Sequence, residues 1–166
     1  MLLGMSLPAF TILHVIISLI AIVAGLVVMF DMLGNRQKPG LTAIFLLFTI
    51  LTSATGFLMP PLLSEKLLPS HILGILSLVL LAIACIALYG MKLQGAWRWI
   101  YVVTALISLY LNVFVLVIQS FLKVPALTAL APGNPPSGPV FAVVQGIVLV
   151  FFVVMIIRAV RRFRPA

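Results

Sequence analysis

Acidic side chains are almost missing from this chain: Asp31 and Glu65 are the only two carboxylates in 166 residues. General acid–base and cation-coupled mechanisms draw on carboxylates held at a site, and two such residues, in different connections, cannot form a catalytic pair. Charge of either sign is scarce, 7% of the chain against roughly 25% in soluble domains. Cysteine is scarcer still: the single Cys85 sits inside an apolar run, so no disulfide framework exists and the redox compartment cannot be read from it. The chain also lacks a Walker motif, an HExxH pair and a Gly-rich dinucleotide turn. No nucleophile has a base beside it in sequence. An enzyme acting as an isolated chain is therefore not expected, and no polar stretch is long enough to hide a soluble domain.

Apolar residues fill the space left by these absences. They make up 64% of the sequence, with a mean hydropathy of +1.38. A helix needs about 20 apolar residues to cross the hydrocarbon layer, and five runs qualify: 8–32, 41–63, 70–93, 97–122 and 139–160. Turn chemistry separates them, at Gly34-Asn35, Pro39-Gly40, Pro60-Pro61, Pro69-Ser70, Gln94-Gly95 and the Pro/Gly-rich stretch 125–139. Pro60 and Pro61 are expected to end or kink the second helix, and Ser70 to cap the third. The expected fold is an all-α integral membrane protein, five transmembrane helices in one bundle, with 1–166 forming a single domain.

The ten cations are distributed unevenly. Arg36, Lys38, Lys92, Arg98, Arg158, Arg161, Arg162 and Arg164 fall on one side of the alternating spans, Lys66 and Lys123 on the other. Positive residues in short loops mark the cytoplasmic side, so the N-terminus is expected outside and the C-terminus in the cytoplasm. That placement also removes a nucleic-acid reading of the net charge of +8, because the basic residues flank apolar spans. The Arg158–Arg164 tail is expected to meet anionic lipid headgroups. Neither Asp31, at the cytoplasmic end of the first helix, nor Glu65, in an outer loop, is expected to be buried, which argues against a proton- or sodium-coupled carrier.

Polar residues inside the spans are few, and each is costly at membrane depth. His14 and His71 lie about one turn inside the first and third spans, at the same outer side. Each opens a helix pair whose second member carries Thr-x-Leu-x-Ser: Thr49, Leu51, Ser53 in one and Thr104, Leu106, Ser108 in the other. If this outline reflects duplication, a pseudo-two-fold along the membrane normal brings the histidines together across a four-helix core, with the fifth span peripheral. Thr104, Ser108, Asn112 and Gln119 share one face of the fourth helix, and Gln145 is the polar residue of the fifth. Gly74, one turn after His71, leaves room for a flat group. Two imidazoles at matching depth are the minimum for a bis-histidine haem b, with His14 and His71 as metal ligands and Gly74, Asn112, Gln119 and Gln145 as cofactor or quinone contacts. Interhelical hydrogen bonding accounts for the same residues without any cofactor. Ala21 with Gly25, and Ala82, Ala84 and Ala87, are expected to permit close helix packing. The apolar part of 125–139 reads equally as a lid over the outer mouth and as a disordered loop.

Trp97-Arg98-Trp99-Ile100-Tyr101 and Leu109-Tyr110-Leu111-Asn112-Val113-Phe114, followed by Gln119, Phe121, Lys123, Pro125 and Ala126, resemble small uncharacterised bacterial inner-membrane proteins. The resemblance covers mainly 97–126 and implies a bacterial inner membrane without implying an activity. At the level of the fold the bundle is similar to membrane b-type cytochromes. It departs from their two-haem members, which need four histidines where this chain has two. Three readings stand side by side: a haem- or quinone-linked electron-transfer component, a non-catalytic subunit or assembly factor bound to another membrane protein or to further copies of itself, and a transporter or channel for a small solute or lipid.

Overall fold

A computed structural model describes residues 4, 6–58, 69–133 and 136–164, with the backbone alone at 7, 57–58 and 69–71. These residues form six α-helices: α1 (Leu7–Leu33), α2 (Pro39–Leu58), α3 (Pro69–Cys85), α4 (Trp97–Lys123), α5 (Pro125–Leu130) and α6 (Pro139–Arg162). A π-helical turn at Ile86–Gly90 continues α3. Five of the helices are long and apolar enough to cross a membrane, and the protein is a helical, multi-pass integral membrane protein. Pro60, Pro61, Glu65 and Lys66 lie outside the described residues.

Prolines start the helices. Pro8, Pro125 and Pro139 occupy the first turns of α1, α5 and α6, where a preset φ helps and the absent N–H would have had no partner. Ser6 accepts the Ala9 N–H at 3.4 Å as the cap of α1. Ser70 is not the cap expected of it: α3 already begins at Pro69, so Ser70 lies inside the first turn.

Helices α1 to α4 pack as a ring of consecutive neighbours, closed by α4 against α1. Helix α6 lies outside the ring, across α1 and α4, the peripheral place expected for the fifth span. Buried Thr49 and Thr104, the paired threonines of the sequence outline, behave alike. Each hydroxyl donates to the carbonyl four residues back, Phe45 at 2.6 Å and Ile100 at 2.7 Å, which removes the penalty of an unpaired hydroxyl in an apolar interior.

The main hydrophobic cluster occupies one half of this ring, while Phe10, Phe121 and Ala131 are buried apart from it at the other end. We call the half carrying residues 34–38, 91–98 and 158–164 the basic end, and the opposite half the histidine end. Met29, Met32, Phe45, Leu81, Leu106 and Leu109 are fully enclosed, and all lie at or below mid-helix on the basic side. Gly25 makes that density possible. A Cβ there would stand 2.7 Å from Leu109 Cδ1 and 2.8 Å from Phe45 Cε1. Ala21, Ala84 and Ala87 are fully buried as expected, but Ala82 is exposed, since it falls on the outer face of α3. Past Leu109 the enclosure loosens: residues 111–118 of α4 are half-buried on every face before Phe121 is buried again.

The basic end is tied off by the chain's own terminus. Arg98, at the start of α4, donates through Nη1 to the carbonyls of Val160 at 2.6 Å and Phe163 at 2.8 Å. It thereby satisfies acceptors that the end of α6 leaves open. Phe163 is buried with its ring centroid 6.2 Å from that of Tyr101, and the Arg164 N–H donates to Asn35 Oδ1 at 2.8 Å. This covering corrects the expectation for Asp31, which is buried at 5% exposure rather than free at the helix end. Arg36 and Lys38 fold back onto it at 3.3 and 3.4 Å, and Phe163 and Tyr101 line the small space beside them. Two cations on one carboxylate at a helix end make an ion cluster, not a mid-span proton site.

At the histidine end the stretch after α4 is partly helical. Thr128 Oγ1 donates to the Phe121 carbonyl at 2.7 Å, and α5 packs against α4. It is a folded corner on α4.

Candidate functional site

Polar groups replace the apolar core where it ends. Near the top of the ring, His14 of α1 meets Thr55 of α2, with Nδ1 2.6 Å from Oγ1. The Thr55 hydroxyl has one proton, and the Leu51 carbonyl stands 2.7 Å away to receive it in the usual i−4 manner. In the tautomer where that carbonyl takes the proton, the threonine oxygen accepts from Nδ1–H and Nε2 is the acceptor nitrogen of the ring. Support of one ring nitrogen by a hydrogen bond is also what orients histidines that bind a metal through the other. Gly56 keeps space at the ring: a Cβ there would approach His14 Cε1 no closer than 3.6 Å.

One turn deeper on the same face of α1, Ser18 donates to Asn112 Oδ1 on α4 at 3.2 Å. Asn112 Nδ2 is buried and has no hydrogen-bond partner. Across the ring, Ser53 of α2 donates to Ser77 of α3 at 3.2 Å. The polar layer therefore touches all four helices of the ring, through the α1–α4 contact on one side and the α2–α3 contact on the other. An orphan amide donor in such a place costs about 1–3 kcal/mol, so a partner for it has a large effect. Gln119 shares the inward face of Thr104, Ser108 and Asn112, yet it is exposed where those two hydroxyls are buried.

No protein-family model, curated protein or solved structure matches this chain.

The remaining residues singled out by sequence are placed less centrally. Gln145 donates through Nε2 to the Phe114 carbonyl at 3.2 Å, on the flank where α6 meets α4 through the Tyr110–Phe152 and Phe121–Phe141 ring pairs. At 100° per residue that flank is opposite Asn112, so Gln145 is an interhelical contact away from the Ser18–Asn112 pair. Gly74 is half-buried on α3. The side chain of His71 lies outside the described residues. Among the described residues no three His, Cys, Asp or Glu side chains gather as a metal site. Ser77, the partner of Ser53, is the member of this polar layer that the sequence did not single out. Its signal was available only as a hydroxyl at the level of Ser53.

The space at Gly56 gives a direct check. Gly56→Ala is expected to fold normally and to gain up to roughly 1 kcal/mol from helix propensity, because 3.6 Å is ordinary van der Waals contact. Gly56→Leu is expected to fold as well but to fill the space beside His14. Thermal unfolding in detergent compares the two; loss of folded Gly56→Ala protein would contradict the open arrangement.

Proposed function

We propose that the protein is an electron-transfer component of the bacterial inner membrane that holds a quinone-type ligand in the outer half of its bundle, between α1, α2 and α4. The N-terminus is outside and the C-terminus cytoplasmic, on the strength of eight cations against two. The observation that carries the reading is the division of the interior. A packed apolar core fills the cytoplasmic half. The other half presents an imidazole and an amide, each held by a neighbour, with Asn112 Nδ2 still unclaimed. Ligand pockets are typically apolar with a few fixed polar groups, and this half of the bundle has that composition. The closed core below it, with Leu106 and Leu109 fully buried, favours a binding site over a continuous channel.

A haem b is the second reading, favoured by one observation: the Thr55 bond frees His14 Nε2 for a metal. His14 would be one axial ligand and His71 the other, and the group when bound would supply one-electron chemistry. Helix α6, the least covered of the long helices, would then be the natural side for a partner subunit.

Extraction of protein purified from its native membrane decides the matter. Stoichiometric quinone in the organic extract is the expected result, and a Soret band would transfer the assignment to haem. Only traces of either would overturn the electron-transfer reading.

A further inference from the structure

The cations of the basic end divide into two groups, one engaged in the fold and one turned away from it. We infer that Arg158, Arg161 and Arg162 form a site on the outer side of α6 for the phosphate of an anionic membrane phospholipid, whose acyl chains lie along Val150, Val154 and Ile157. The inference is independent of what the histidine end holds.

The division follows from the hydrogen bonds. Arg36 and Lys38 lie on the Asp31 carboxylate, and Arg98 donates to two carbonyls at the end of α6. Arg164 turns back onto the protein: its Nε donates to the Arg161 carbonyl at 3.2 Å and its backbone N–H to Asn35. That narrows the set of lipid-facing cations expected of the Arg158–Arg164 tail. Arg158, Arg161 and Arg162 are exposed, and their guanidinium groups have no hydrogen-bond or ion-pair partner among the described residues.

Helical period brings these three together. Spacings of three and four residues make them neighbours on one face, with Arg158 and Arg162 about 6 Å apart along the axis. At 100° per residue this face is turned roughly opposite Phe152 and Ala159, which are buried where α6 meets the bundle. Exposed Val150, Val154 and Ile157 continue it towards the histidine end. The outer side of α6 is therefore an apolar stripe that ends in three cations. A phospholipid has the same order, acyl chains and then a charged phosphate.

Charge selects the headgroup. Like charges three and four residues apart destabilise a helix, and Asp31, the one carboxylate among the described residues, already holds two cations. A headgroup with net negative charge relieves the repulsion, whereas a zwitterionic one brings its own cation with it. Guanidinium groups also match phosphate oxygens in a bidentate manner.

The test uses the full chain purified in a neutral detergent, with phosphatidylglycerol, phosphatidylcholine or inorganic phosphate added. Thermal unfolding and the lipid retained in native mass spectrometry are the readouts. Phosphatidylglycerol is expected to bind saturably and raise the midpoint, and the other two to do neither. Arg158→Gln, Arg161→Gln and Arg162→Gln combined are expected to weaken its binding about a hundredfold, since each cation at an anionic surface contributes about fivefold. The midpoint without lipid is expected to be retained. Arg36→Gln removes a cation from the same end and is expected to leave lipid affinity unchanged, which a diffuse attraction to positive charge would not. Should the triple variant not fold, Arg158→Gln and Arg162→Gln alone are each expected to weaken binding about fivefold. An equal response to phosphatidylcholine, or an Arg36→Gln loss equal to that of Arg162→Gln, overturns the inference. So does an equal response to inorganic phosphate, which would make this a site for a free anion. A protein that co-purifies at fixed stoichiometry and is lost with the three arginines overturns it too, in favour of a docking face.

Discussion

Gly25→Leu is expected to abolish the folded bundle, and Gly25→Ala to destabilise it by roughly 1–3 kcal/mol, the range for overpacking a dense core. Two effects oppose each other in the alanine variant. Replacing glycine inside a helix gains up to roughly 1 kcal/mol of propensity. Against that, the new Cβ would stand 2.7 Å from Leu109 Cδ1 and 2.8 and 2.9 Å from Phe45 Cε1 and Cδ1. Both neighbours are fully enclosed, so neither can turn aside into solvent or lipid, and the clash outweighs the propensity gain. Thermal and denaturant unfolding of the purified variants in detergent measures the difference. A Gly25→Ala midpoint equal to or above the wild type would show that the α1–α2–α4 packing is looser than described. The contrast with Gly56→Ala, the same substitution with an ordinary 3.6 Å contact, separates packing from any generic effect of losing a glycine.

Arg98→Ala is expected to cost about 2–3 kcal/mol and to release the end of α6. Hydrogen bonds from a charged donor contribute about 1.5–3 kcal/mol each, and Arg98 makes two, to the Val160 and Phe163 carbonyls at 2.6 and 2.8 Å. Water near the membrane surface offsets part of the loss, so the sum of the two is an upper bound. The structural effect extends beyond these two bonds. Phe163 loses the anchor that seats its ring by Tyr101, and Asp31 loses part of the cover that buries it. Arg98→Lys keeps the charge but not the planar fork that reaches two acceptors, and is expected to fall between wild type and alanine. Amide exchange at Ala159 to Phe163 reports the release directly; unchanged protection in Arg98→Ala would mean that α6 is held by its packing on α4 alone.

The polar layer was only partly legible in the sequence. His14 and Asn112 stood out because ionisable and amide groups are rare in apolar spans, and Thr104, Ser108 and Asn112 could be placed on one inward face by helical period. Gln145 was grouped with them for being polar at a similar depth. Depth does not say which flank of a helix a residue occupies, and Gln145 reaches the Phe114 carbonyl on the far side of α4. Asp31 failed for a related reason. Its position at a helix end suggested exposure, but its cover comes from Phe163, 132 positions later in the chain by their residue numbers. No local pattern carries such a contact.

The sequence by itself determined the class of this protein, the number of its apolar spans and the place of each polar residue along its span. Those properties depend on chain length per turn and on the free energy of placing apolar or charged groups in hydrocarbon, both of which are local. Only the tertiary structure decided that the main apolar cluster lies in one half and the interhelical polar contacts in the other, that Thr55 and Ser18 orient the imidazole and the amide, and that the C-terminal Phe163 closes the basic end. Each of these depends on which faces of separate helices meet. In a chain whose faces are almost uniformly apolar, close approach at one glycine and a few hydrogen bonds select the pairing, and hydropathy cannot distinguish them.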